Sequence, residues 1–375
     1  MDSRLKKPLL IGGAFLLSAC AGAGFRSATS WPGLSTDGET VYMAFEQGVY
    51  AVDASSGDLK WSYPAEAESG RTFFAEPAIS EDGIVYVGDF ENKVVALNAA
   101  TGAVEWGPVQ LGEDNGRIVG GATIAGNTLL VPSGDGRLYA LDAADGSAIW
   151  TFPAEFREPL EEAIWSAPVV EGERVFFTSM DHNVYAVDLS QGGQLWTATR
   201  DVGGAIADSP VLVDQMLLAG TFGHELIALE GDRGREAWIF NAGDWIWGSP
   251  AIGDGVAYFG DLGGRLHAVD VLSGSEIWSE ALSSRISASP ALGEDRIYVA
   301  AESGTLFARE LSTNRDLWSV PLDGDLHTEP LVMGETVIVA TNGGEPLLCA
   351  FDVENGTERW SYTPGGSDKR CRAES

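Results

Sequence analysis

A chain of 375 residues that is 45% hydrophobic has ample material for a packed core, which excludes disorder for its bulk. Its formal charge of −32, from 23 Lys and Arg against 55 Asp and Glu, repels nucleic acid and anionic lipid, so neither is expected as a direct ligand. The charges are spread through the chain rather than gathered in one tail, as on a solvated surface.

Arg4, Lys6 and Lys7 make a basic start, and residues 9–17 an apolar run too short to span a bilayer. The run ends in Leu17, Ser18, Ala19 and Cys20. Basic start, apolar run and small residues make an export signal. The last four residues match the lipobox of bacterial lipoproteins, with Cys20 as the acylated residue; the competing reading is an ordinary secretory signal with an incidental Cys. The expected organisation is therefore a signal peptide over 1–19, a tether of small and polar residues over 20–30, a repeat domain over 31–363 and a short polar tail over 364–375. The expected location is the cell envelope, outside the cytoplasm and held by lipid on Cys20. In a Gram-negative cell, Ala21 in place of Asp favours the periplasmic face of the outer membrane; otherwise the site is the outer face of the cytoplasmic membrane.

From Trp31 onward one eleven-residue frame recurs: a small residue, an acidic or amide residue two later, a turn residue six later and a Trp ten later. Its copies are Ala51, Asp53, Gly57, Trp61; Ala96, Asn98, Gly102, Trp106; Ala140, Asp142, Gly146, Trp150; and Ala186, Asp188, Gly192, Trp196. Then come Ala228, Glu230, Gly234, Trp238; Ala268, Asp270, Gly274, Trp278; Ala308, Glu310, Asn314, Trp318; and Ala350, Asp352, Gly356, Trp360. The Trp residues stand 40 to 46 apart, a period that signals a repeat architecture. The frame reads as a strand leaving the core, a tight turn, and a strand returning with the Trp. Gly, replaced once by Asn, implies a positive φ in the turn. The acidic residue is expected to cap the turn by accepting backbone N–H groups.

Each repeat contains four short apolar runs bounded by Gly, Asp or Ser. In the sixth they fall at 249–252, 256–260, 265–270 and 276–280. No segment of helical period interrupts them. The expected fold is all-β: an eight-bladed β-propeller of four-stranded antiparallel blades, closed by packing between the first and last blades rather than by a borrowed strand. An open solenoid is the competing architecture.

The frame resembles the tryptophan-docking motif of quinoprotein-type eight-bladed propellers, the PQQ-like repeat family. The resemblance covers residues 31–363 and all eight copies. It implies that Trp61, Trp106, Trp150, Trp196, Trp238, Trp278, Trp318 and Trp360 each pack on the neighbouring blade's turn. The members that the chain looks most like are lipoproteins of the outer-membrane β-barrel assembly machinery, which implies a scaffold that holds a protein partner at the envelope. The alternative is a surface or periplasmic lipoprotein that binds peptide or carbohydrate. Family enzymes carry adjacent cysteines and insertions around a quinone and calcium; this chain has neither feature, so no cofactor, no metal and no catalytic residue is expected, and a PQQ-dependent oxidoreductase ranks last.

In such blades the blade-to-blade links and the turns between strands two and three share one face, and the docking turns lie on the other. The first face is the variable one, with its longest link at 151–165, and loops on a rigid scaffold commonly carry binding. Three residues before the Pro that opens strand one stand Phe74, Trp165, Trp247 and His327, in blades two, four, six and eight; Thr29, Val119, Ala207 and Ser287 take comparable places in the odd blades. Two readings fit: a ring of flat side chains that receives a ligand at the channel mouth, or an alternation of large and small residues that fills a taper.

Other chemistry is sparse. His182, His224, His267 and His327 lack metal-ligand spacing, and Ser209, Ser249 and Ser289 recur with the repeat as strand starts. Asp89 and Asn92 lie in an Asp-rich turn without the calcium-loop pattern. Cys349 and Cys371 either pair, as an exported protein permits, or leave Cys349 as an ordinary buried thiol.

Overall fold

A computed structural model describes residues 31–65, 71–112, 116–198, 204–282, 284–366 and 371. The expected signal peptide, Cys20, the tether with Thr29, and parts of the variable links lie outside the described residues. Blade one is an antiparallel meander of β1 (Gly33–Thr36), β2 (Thr40–Phe45), β3 (Gly48–Asp53) and β4 (Leu59–Tyr63). Among the described residues the order repeats through seven more four-stranded sheets, and no strand is exchanged between the first and last. Blade six runs Ala251–Gly253, Val256–Gly260, Arg265–Asp270 and Glu276–Ala281, within two residues of expectation.

The middle strands are apolar on both sides because each blade is covered on both faces. Val41, Tyr42, Met43 and Ala44 are all buried, and so are Val337, Ile338, Val339 and Ala340. The apolar packing divides into eight clusters, each shared between two adjacent blades. The cluster joining blades eight and one contains Leu34, Val41, Met43 and Val52 with Ile338, Leu348, Ala350 and Trp360, so the ring closes by face packing.

The frame explains itself in three dimensions. Its small residue pairs directly with the Trp across strands three and four, as Ala51 does with Trp61 and Ala268 with Trp278. A β-bulge follows that Ala in every blade and re-aims the returning strand. The capping acid behaves as expected: Asp53 Oδ1 accepts the Ser55 and Ser56 N–H groups at 3.0 and 3.1 Å, and Asp188 Oδ1 does the same for Ser190 and Gln191.

Each indole then reaches into the next blade. Trp61 Nε1 donates to the Ala99 carbonyl at 2.7 Å, Trp106 to Ala143 at 2.8 Å, and Trp150 to Leu189 at 2.8 Å. Trp196 donates to Gly231, Trp238 to Val271, Trp318 to Val353 and Trp360 to Ala54. The turn Gly lies flat under the neighbour's indole. A Cβ on Gly192, where φ is +65°, would stand 2.5 Å from Trp150, and one on Gly57 would stand 2.7 Å from Trp360. The substitute, Asn314, holds φ at 55° and is bound by the buried Arg309 guanidinium.

Sequence reasoning missed a partner of the docking Trp. Tyr42, Tyr86, Phe176, Tyr258 and Tyr298 sit on strand two with ring centres 5.9 Å from the Trp of their own blade. Tyr86 also donates to Ala143 O, the carbonyl that Trp106 uses. An aromatic residue 19 or 20 positions before the Trp was the available signal.

Cys349, on strand three of blade eight, forms a disulfide with Cys371, with Cα atoms 5.8 Å apart. The tail is thereby tied to the propeller, and the reading of Cys349 as a free thiol is set aside.

Candidate functional site: the channel and its mouth

First strands of neighbouring blades approach one another around the axis, so residues at their starts line the channel and its mouth. The antiparallel order places strand-one starts, the turns between strands two and three and the inter-blade links on one face, with the docking turns on the other.

Three of the four predicted mouth residues come together, but around a residue the alternation had not included. The Trp31 indole stacks on His327 at 5.1 Å and 22°, meets Trp247 edge-on at 5.6 Å and 71°, and lies 5.4 Å from Phe74. Trp31 belongs to blade one and these partners to blades two, six and eight, so its ring spans the opening. Trp165 is half-buried on blade four and is not one of these ring pairs. The aromatic cluster continues outward from Phe74 to Phe90, under the Arg117 guanidinium, and from Trp247 through Phe222 to Trp245. Trp31 was missed because Thr29 was aligned with the −3 positions. The useful signal was the pair Trp31–Pro32, which repeats the register of Glu76–Pro77 and Glu329–Pro330.

His327 Nδ1 lies 3.2 Å from Ser287 Oγ and 3.8 Å from Glu302. Burial pushes the imidazole toward the neutral form, against the pull of Glu302 and Asp325.

In the Trp31 register stand Glu76 and Glu329, on the blades that flank it, while Asp208 comes from blade five. By surface area the Glu76 and Glu329 side chains are exposed, yet they stand among the strand-one starts that crowd around the axis. Burial, then repulsion from Asp208, raises the Glu76 carboxyl to about 7. Burial, then Glu76 and Asp208, raises Glu329 to about 8. Asp208 is also pushed up by burial, although N–H groups of Ser209 and Ser249 donate to it at 2.7 and 2.9 Å and pull the other way. The recurring serines work as a structural ladder. Ser209 Oγ accepts Ala167 N–H, Ser249 Oγ donates to Ser209 O, and Ser289 Oγ accepts Ser249 N–H.

Other sequence candidates are structural. Asp89 is buried, accepts the Glu91 and Lys93 N–H groups and pairs with Arg71 at 3.2 Å. Asn92, His182 and His224 take positive φ in the turns after strand two. His267 is buried and pairs with Asp261 at 2.9 Å, in the place where Tyr139 and Tyr185 bond Asp135 and Asp181. Among the described residues, no three His, Cys, Asp or Glu side chains converge as ligands for one ion.

The fold and the frame define an eight-bladed propeller of the tryptophan-docked type. The chain belongs to the family described as outer membrane protein assembly factor BamB, which matches residues 23–125, 109–244, 204–287 and 262–374. A search of curated proteins by sequence found no match. Among solved structures, BamB from Moraxella catarrhalis is similar at 17% identity and a TM-score of 0.68, over 87% of this chain and 97% of that one. A computationally designed protein, Ika8, gives 15% identity and 0.71 over 85% and 95%. A europium-containing methanol dehydrogenase gives 12% and 0.65 over 85% of each chain. At these identities the likenesses establish the shared fold.

Proposed function

We propose that the chain is a lipid-anchored, extracytoplasmic scaffold that binds a protein partner during outer-membrane protein assembly. The family match along the whole propeller carries this reading. The face that holds the links supports it: Phe156 there is 86% exposed and Trp245 38% exposed, on a body whose rigidity comes from the docking clasps. Anchoring through Cys20 rests on the lipobox. Binding of peptide or carbohydrate remains the alternative for an envelope lipoprotein of this shape.

The test is made in the native host. Removing the gene should deplete β-barrel proteins from the outer membrane, and the wild-type gene should restore them. A photo-crosslinking residue at position 156 should capture an assembly component, and one at 272, on the docking face, should not. Normal barrel levels with no crosslink at 156 would sink the reading. Dye-linked alcohol oxidation by purified protein supplied with quinone and calcium would point to an oxidoreductase instead.

A further inference from the structure

We infer that the aromatic mouth is a clasp for the chain's own N-terminal segment, and that it turns the link-bearing face toward the membrane. The inference rests on the proposed anchoring at Cys20. Trp31 is held from three sides by His327, Trp247 and Phe74, and Thr328 Oγ1 donates to the carbonyl of the next residue, Pro32, at 2.6 Å. The chain therefore leaves the body at the opening on that face rather than at the rim.

Tether length then decides orientation. Residues 21–30 span at most about 35 Å when fully extended. To bring the docking face to the bilayer, they would have to cross a blade and descend its side. Four strands spaced about 4.8 Å apart extend roughly 15 Å outward, and strands of five or six residues add about 20 Å of depth. Those two legs consume the full reach before the channel's radius or any contact with lipid is counted. The opposite arrangement needs only a short direct link. The link-bearing face is thus held within tether distance of the bilayer, where the protein partner proposed for it would be met at the membrane. The net charge of −32 opposes flat adhesion to anionic lipid, so the tether and its clasp set the orientation.

The test uses the mature lipoprotein, purified with its native acylation and reconstituted into phosphatidylcholine vesicles bearing headgroup energy acceptors. A donor dye is placed at Phe156→Cys on the link-bearing face or at Leu272→Cys on the docking face, positions 86% and 73% exposed. Transfer should be severalfold more efficient from 156 than from 272. Trp31→Ser should reduce that ratio toward one while leaving the thermal transition and vesicle flotation intact, and Trp31→Phe should keep it. Equal or reversed transfer in protein that floats with vesicles would overturn the orientation alone. Failure to float would overturn the anchoring at Cys20, and this inference with it.

Discussion

The indole nitrogen of Trp360, in the last blade, donates to the carbonyl of Ala54, in the first, at 2.9 Å across 306 residues of sequence. The same bond joins Trp61 to Ala99 and Trp106 to Ala143 over 38 and 37 residues. Ring closure therefore uses the bond that the seams of Trp61, Trp106, Trp150, Trp196, Trp238 and Trp318 use, and no separate latch strand is needed. Trp360→Ala should cost about 3–5 kcal/mol, as for deletion of a buried large aromatic side chain. Trp360→Phe keeps most of the packing and should cost nearer 1 kcal/mol for the lost hydrogen bond. Denaturant unfolding measures both, and amide exchange should quicken first in blades one and eight.

Gly57 tests the other half of the clasp. Its φ is +78°, and a Cβ there would stand 2.7 Å from the Trp360 ring. Gly57→Ala should destabilise by about 1–3 kcal/mol, since strain and collision act together. Gly126, whose added Cβ would meet nothing within 4 Å, has a φ of +60° and isolates the backbone contribution. Gly126→Ala should cost visibly less in the same unfolding assay.

Asn314 is the one departure from Gly in the turn. It tolerates a φ of 55°, and its oxygens accept from Arg309, whose side chain is buried and also pairs with Asp316. Asn314→Gly should cost about 1 kcal/mol, because the backbone is relieved while one acceptor of Arg309 is lost. Asn314→Ala loses that acceptor and keeps the strain, so its midpoint should fall further.

The channel carboxylates set a pH dependence of stability. Glu76 and Glu329 are raised in the folded state to about 7 and about 8, above the ordinary range they regain on unfolding. From about pH 4.5 upward the folded chain therefore holds protons that the unfolded chain releases, and stability falls as pH rises toward 8. Glu76→Gln and Glu329→Gln should each raise stability at pH 8, change little at pH 4, and together flatten the slope. Both side chains are exposed by surface area, so solvent screens part of the repulsion and the gain is about 1 kcal/mol each, or about 2 °C in melting temperature. A double variant with the wild-type slope would contradict this origin.

The bond between Cys349 and Cys371 spans 22 residues. Unreduced protein should show no free thiol from this pair, and replacing both by Ser should lower stability by about 3 kcal/mol or somewhat less. Thiol titration and urea unfolding with and without reductant provide the readout.

By itself the sequence determined the blade. Turn chemistry is local: a positive φ calls for Gly or Asn, a capping acid serves N–H groups two and three residues on, and the Ala opposite the Trp is fixed by hairpin register. Those requirements recur at a fixed period, so the number of blades, their strands and the docking clasps were legible within a residue or two. Only the tertiary structure decided what meets at the axis. Trp31 and His327, Glu76 and Asp208, Cys349 and Cys371 are brought together by closure of the ring and the path of the tail, which no local preference encodes. The alternation of Phe74, Trp165, Trp247 and His327 was visible, but its occupant was not. Whether a ring of side chains lies open or is filled depends on where the chain enters the disc, and that position exists only once eight sheets have packed face to face.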